Sequence, residues 1–197
     1  ALARVRGFGV DPAVTARAFA AAAARGGRPG AALQITAYRH SPAGMTGVQT
    51  IAYELAAQLP GGIDHVFCPA GGGGLAVAVA RGFDRLAATG RLGRRPAVEC
   101  AQPDGNATIA GPLRRGADRA EAVECRTAVG GLQVPTVVDG DAAVAACRAS
   151  GGTGHLVADR EAWDGQARLA REEGIFCEPA GAVGLVAALR AVAAGLV

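Results

Sequence analysis

The 197-residue sequence contains no lysine; all 20 of its basic residues are arginine. No side-chain amine is therefore present to act as a nucleophile, and arginine, permanently charged, cannot take that role. A Walker-type nucleotide loop, which needs lysine after its last glycine, is excluded as well. Aromatic residues make up only 4% of the chain. The paired arginines Arg94-Arg95 and Arg114-Arg115 lack aromatic neighbours, so the net charge of +3 reads as a solvated surface, not a nucleic-acid face. No apolar run reaches membrane-spanning length, because arginine and glycine interrupt the alanine-rich stretches. Cys68, Cys100, Cys125, Cys147 and Cys177 are odd in number and form no CxxC pair. They exclude a disulfide framework and a cysteine zinc site, and are expected to be reduced core thiols of a cytosolic protein. The only serines, Ser41 and Ser150, lie in no nucleophile-elbow context. His40, His65 and His155 are scattered at expected strand edges, where structural roles are expected. The chain opens on Ala1-Leu-Ala-Arg inside a strand-like run, with its only methionine at Met45 and no targeting segment. The expectation is a piece of something longer.

What the chain does have is glycine in one telling place. His65-Val-Phe-Cys-Pro-Ala-Gly-Gly-Gly-Gly-Leu75 reads as a short apolar strand, a proline stop, four glycines and then an alanine- and valine-rich helix. Each glycine costs roughly 0.5–1 kcal/mol relative to alanine inside a regular element. That cost is tolerated where a ligand must approach bare backbone. At a helix entrance the unpaired N–H groups and the positive dipole end select an anion, most often a phosphate. Gly71, Gly72, Gly73, Gly74 and Leu75 are thus the candidate binding residues. A dinucleotide fingerprint can be laid over Gly71, Gly73 and Ala76. No acidic residue about 20 positions on ends an obvious next strand, since Glu99 lies farther along inside an apolar run. A tightly packed turn and a nicotinamide-nucleotide site remain the alternatives.

Around this loop, strands alternate with helices. Strands are expected at 2–6, 32–38, 64–68, 97–101 and 155–158. Helices are expected from an Asp11-Pro12 start to about Arg25, over 47–59 with Ile51, Leu55 and Leu59 as the apolar stripe, and over 75–89. Further helices are expected within 137–150, opened by Asp139 or Asp141, over 159–173 capped by Asp159, and over 179–194. A loop covers 103–112, and Trp163 is expected to pack from the helix that carries it. Short apolar strands alternating with helices give an α/β fold, a three-layer sandwich around a mainly parallel sheet, with ligands at the carboxyl ends of strands.

Several segments, in order, resemble one family. Cys68-Pro-Ala-Gly-Gly-Gly-Gly-Leu75 is similar to the phosphate-cradling loop of fold-type II pyridoxal-phosphate enzymes. That group contains threonine synthase, threonine dehydratase and the tryptophan synthase β-subunit. Ser41-Pro-Ala-Gly-Met-Thr-Gly-Val-Gln-Thr-Ile-Ala-Tyr-Glu54 resembles a threonine synthase segment, and Gln102 stands at a matching strand end. Ser150-Gly-Gly followed by Val157-Ala-Asp-Arg-Glu161, and Arg171-Glu-Glu-Gly-Ile-Phe-Cys-Glu-Pro-Ala-Gly-Ala182, resemble later family passages.

The resemblance implies pyridoxal 5′-phosphate as cofactor and an amino-acid substrate, with or without a phosphate group. It implies a lyase-type reaction, elimination or replacement at the β- or γ-carbon, in a cytoplasmic homodimer. It also implies that the cofactor-binding lysine lies N-terminal of the matched region and the residue facing the pyridine nitrogen C-terminal of it, so no catalytic residue is assigned within the chain. Residues 1–42 would be the remnant of a small mobile domain and 43–197 the large cofactor-binding domain. Many dehydratases and racemases carry a glutamate at a metal site where Gln102 stands, so no metal is expected and the fit is better to threonine synthase. Thr46 and Gln49 replace the Glu and Lys usual in those synthases, which leaves room for a related amino-acid activity. Glu178 heads a helix beside its N–H groups; it is either a cap or, as the resemblance implies, a neighbour of the cofactor ring. A non-catalytic relative stays open as the alternative from another class.

Overall fold

The computed structural model of the chain describes residues 12–26, 28–30 and 36–197. The first described element is helix α1, Pro12–Gly26, with proline in its first turn. The strand expected at 2–6 and the Asp11 cap lie outside the described residues. So does most of the strand expected at 32–38; its last residues, Thr36 to Tyr38, form a bend and turn instead.

Among the described residues, three parallel strands form the sheet, in the order β1 (His65–Pro69), β2 (Ala97–Pro103) and β3 (Gly154–Val157). Phe67 stands opposite Glu99, Cys68 opposite Cys100, and Ala101 opposite His155. Side chains alternate across the sheet, so Cys68, Val98 and Cys100 share one face while Phe67, Glu99 and Ala101 share the other. The first face packs against α4 (Gly74–Ala88) and α6 (Gly140–Ala149) through Val77, Phe83, Val144 and Cys147. The second packs against α8 (Pro179–Ala193) through Val183, Val186 and Ala187, with α7 (Asp159–Glu173) laid on α8. Helices on both faces of a parallel sheet are the α/β sandwich expected, because a strand buried on both sides must be apolar throughout.

One carboxylate interrupts that apolar rule. Glu99 is 3% exposed and lies within hydrogen-bonding distance of His65 Nδ1 (2.9 Å) and His155 Nε2 (3.1 Å), while accepting from the Thr153 amide at 2.7 Å. Burial pushes its carboxyl up, but the bonds from His155, the Thr153 amide and His65 outweigh burial and hold it below the usual range. The cluster ties all three strands together at their amino ends, so His65 and His155 have the structural role expected.

The helices differ from expectation in instructive ways. The helix expected over 47–59 is two, α2 (Pro42–Val48) and α3 (Thr50–Gln58), jointed at Gln49. Ser41-Pro42 is a proline start like that of α1, and Gly44 and Gly47 hide the first helix from a periodicity search. The stripe Ile51, Leu55, Leu59 is not the buried face: Ile51 and Leu59 are exposed, and Ala52 is buried instead. A Cβ at Gly82 of α4 would lie 2.6 Å from Ala52 Cβ and 2.7 Å from the Gln49 carbonyl, so small residues let these helices touch. The expected loop 103–112 contains a 3-10 turn, Asp104–Asn106, and ends in α5, Ala110–Arg114.

Asp139 opens α6 as its N-cap residue, its carbonyl accepting from the Ala143 amide at 2.9 Å, but neither its side chain nor that of Asp141 makes the cap bond. Asp141 takes Arg119 and the Ala120 amide, which hold its carboxyl below the ordinary value, and Asp139 reaches across to Tyr38 and Arg39. Asp159 likewise binds Thr127 and Ala128; α7 is capped by Glu161 accepting from the Ala158 amide at 2.8 Å. Trp163 is exposed, and the packing residue of this helix face is Ala162. Among the described residues, no helix is long and apolar enough to cross a membrane.

Candidate functional site

Strand β1 ends at Pro69, and the Ala70 amide extends the ladder by donating to the Ala101 carbonyl at 2.9 Å. The chain then turns through Gly71 to Gly73 into α4. Gly73 has φ 95°, a left-handed conformation that only glycine adopts cheaply, and this turn aims the helix entrance at the loop. The first bond of α4 runs from the Val77 amide to the Gly73 carbonyl, which leaves the preceding amides without helical partners.

All of Gly71, Gly72, Gly73, Gly74 and Leu75 line one cavity of 210 Å³. Gly131, Val134 and Val138 form the opposite wall, Asp139 stands beside Gly74, and Thr36 and Ala37 border it. Among the described residues no basic side chain borders the cavity, so an anion there is met by backbone amides and the helix dipole, the latter contributing about 0.3–1 kcal/mol. The dimensions and donors fit the phosphate end of a cofactor. No amine is present among these residues to bond one covalently.

Two buried amides hold this cup in place. Gln102 has no exposure; its Nε2 donates to the Ala70 carbonyl and Thr108 Oγ1, both at 3.0 Å. Its Oε1 accepts from the Ile109 and Ala110 amides at 2.7 and 2.8 Å, which starts α5. Asn106, also unexposed, donates from Nδ2 to the carbonyls of Leu132 and Val134, fixing the opposite wall. Its Oδ1 is buried without a hydrogen-bond partner among the described residues. The sequence marked Gln102 only through the resemblance and Asn106 only as a loop residue; an amide amid Gly, Pro and Asp gives no sign of which distant carbonyls it will reach.

Glu178 is not part of the cavity lining. It precedes α8 without making a side-chain cap, and its carboxylate faces Gly131, whose Cβ position lies 3.3 Å from Oε1. It therefore stands behind one wall residue of the cup.

The other candidate chemistry falls away from the loop. Cys68 and Cys147 are buried, and burial pushes both thiols up to about 12; Cys100 is raised by burial too. Such thiols stay protonated and inert. No group of His, Cys, Asp and Glu among the described residues is arranged to hold a metal ion. A larger cleft, 350 Å³, lies between β3 and α8 and carries Arg114, His155 and Arg190. It opens at the amino end of β3, and Arg190 is already bonded to the Leu156 carbonyl and Glu161. Converging backbone donors make the smaller glycine cavity the better anion site.

Comparison with known proteins agrees with this geometry. The family described as pyridoxal-phosphate dependent enzyme matches residues 2–197. Threonine synthase of Methanocaldococcus jannaschii is 31% identical over 159 residues, covering 80% of this chain and 39% of the synthase. The chain thus spans about two fifths of that relative's length. Maize serine racemase superposes with a TM-score of 0.61 at 28% identity, over 76% of this chain and 43% of the racemase. The processed form of threonine deaminase isoform 2 from Solanum lycopersicum also gives 0.61, at 25% identity, over 78% of this chain and 42% of the deaminase. Glycine loop, parallel sheet and these likenesses lead to one assignment: the chain belongs to the fold-type II pyridoxal-phosphate-dependent enzymes.

Proposed function

We propose that this chain provides the cofactor-phosphate cup and large-domain scaffold of an enzyme that acts on an amino acid, with threonine synthase-like elimination or replacement at the β- or γ-carbon. The observation that carries the reading is the convergence of Gly71 to Leu75 on one cavity at the carboxyl end of β1. When bound, pyridoxal phosphate supplies an electron sink for charge developing at the substrate's α-carbon. The chain's own residues bind and orient: the loop amides hold the phosphate, Gln102 and Asn106 fix the two walls, and Val134 and Val138 exclude water. Glu178, behind Gly131, is assigned to the ring side of the site. The 31% identity to a threonine synthase, and an amide rather than a carboxylate at Gln102, favour the synthase-like reaction over the dehydratase type.

On this reading residues 43–197 are the large domain and those up to Pro42 belong to a small mobile one. The substrate is an amino acid, with or without a phosphate group, and the enzyme a cytoplasmic homodimer. A non-catalytic relative that keeps the cup stands as the second reading. Titration with pyridoxal phosphate, followed by the cofactor's absorbance, tests the shared part of both. Wild type should bind saturably and Gly72→Val at least tenfold more weakly, since the new side chain grows toward Val134 and Val138 across the cavity. Equal affinities would overturn the loop assignment, and binding of NAD in place of pyridoxal phosphate would replace it with a dinucleotide site. Turnover of an amino acid by the protein with added cofactor would decide against the non-catalytic reading.

A further inference from the structure

Asp139 joins two parts of the chain about a hundred residues apart. Its amide donates to the Gly72 carbonyl at 2.9 Å, which fixes the glycine loop from one side. Its carboxylate, in a residue 6% exposed, accepts from the Tyr38 amide at 2.7 Å through Oδ2 and from the Arg39 amide at 3.0 Å through Oδ1. The turn so held is otherwise anchored by Tyr38, whose ring lies under the Arg81 guanidinium at 4.3 Å and whose hydroxyl accepts from Gln49 Nε2. Thr36 and Ala37, just before these amides, border the cavity.

The carboxylate also sits against the anion's place. A Cβ at Gly74 would lie 3.1 Å from Asp139 Oδ2, so the carboxylate borders the first residue of α4, where the dipole attracts negative charge. With Tyr38 and Arg39 in place, two N–H donors offset its charge and hold it aside. With the 36–40 segment withdrawn, the same carboxylate would stand bare at the helix entrance and compete with an incoming phosphate for it.

We propose that Asp139 is a positioning residue that makes anion occupancy of the glycine cup and closure of the 36–40 segment mutually dependent, an inference that rests on the phosphate reading above. Linkage requires the effect in both directions: a bound anion stabilises the closed segment, and the closed segment strengthens anion binding. The segment lies among the residues assigned to the small domain, so the coupling would report cofactor loading to that domain.

Hydrogen exchange of the Tyr38 and Arg39 amides, read with and without saturating pyridoxal phosphate, tests this directly. In wild type, ligand should slow both amides at least fivefold. In Asp139→Ala, ligand should still bind while both amides exchange fast and ignore it; Asp139→Asn is the second variant should the first not fold. The Cys100 amide, bonded to the Thr153 carbonyl in the sheet, reports any global loss of stability. Ligand that binds wild type without slowing Tyr38 and Arg39 overturns the coupling alone, as does equal slowing in the Asp139 variants. Absence of binding to wild type overturns the phosphate reading and the coupling with it.

Discussion

Replacing Gln102 with glutamate exchanges one amide nitrogen for an oxygen at a side chain with no exposure. The accepting half survives, because Oε1 can still receive the Ile109 and Ala110 amides at 2.7 and 2.8 Å. The donating half is lost: the Ala70 carbonyl, 3.0 Å away, is left facing an oxygen, whereas the Thr108 hydroxyl, also at 3.0 Å, can turn to donate to the carboxylate. A buried group left unsatisfied costs about 1–3 kcal/mol. One such group, together with a buried charge brought in beside it, sets the expected loss at roughly 2–5 kcal/mol near pH 8. The sign with pH follows from burial, which raises the folded pKa of the new carboxyl above its unfolded value. Below the unfolded value the protonated acid donates as the amide did, and the variant approaches wild type; as pH rises through the folded value, that compensation disappears. For a chain of this size each kcal/mol moves Tm by about 2–4 °C, so melting at pH 8 should fall by roughly 5–15 °C. The measurement is thermal unfolding by circular dichroism at pH 5 and pH 8. A variant melting within about 2 °C of wild type at pH 8 would refute the claim that this amide anchors the loop.

The remaining predictions are simpler. Glu99, held below the ordinary carboxylate range, contributes stability that is present above the unfolded value and lost as pH falls through the lower folded one. Glu99→Gln should therefore show a flatter acid limb in stability against pH than wild type; identical limbs would count against the strand-clamping cluster. Phe83, 1% exposed between α4 and the sheet, should cost about 3–5 kcal/mol on replacement by alanine, read by urea unfolding. Among the thiols, the half-buried Cys125 and Cys177 should react with a disulfide reagent in the native protein, and Cys68, Cys100 and Cys147 only on unfolding. Rapid reaction of all five would contradict the packed core.

The parts of the fold legible in the sequence are those where local rules and tertiary demands coincide. The strand, glycine and helix passage from His65 to Ala88 is one such part, since proline, glycine and apolar runs each constrain the backbone locally. The 159–173 helix is another, ended by Gly174 at φ 68°. Legibility fails where a residue's partner is remote. Asp139 and Asp159 have the composition of helix caps, yet both carboxylates serve amides in other segments. Ile51, Leu55 and Leu59 keep helical spacing, yet close contact of Ala52 with Gly82 turns the helix so that a small residue is buried instead. Within the site, the glycines announce the cup because their cost needs a reason. Gln102, Asn106 and Asp139, which hold it, look like ordinary polar residues until the sheet brings β2, the 129–138 segment and the 36–40 turn together.

The central claim, that the glycine loop cups a phosphate, is tested most directly by amide chemical shifts recorded as pyridoxal phosphate is added to the protein. The largest shifts are expected on the amides of Gly71 to Leu75, which line the 210 Å³ cavity, with Asp139 and Tyr38 following. Shifts confined to the cleft between β3 and α8, around Arg114, His155 and Arg190, would contradict it and move the anion site to the opposite end of the sheet.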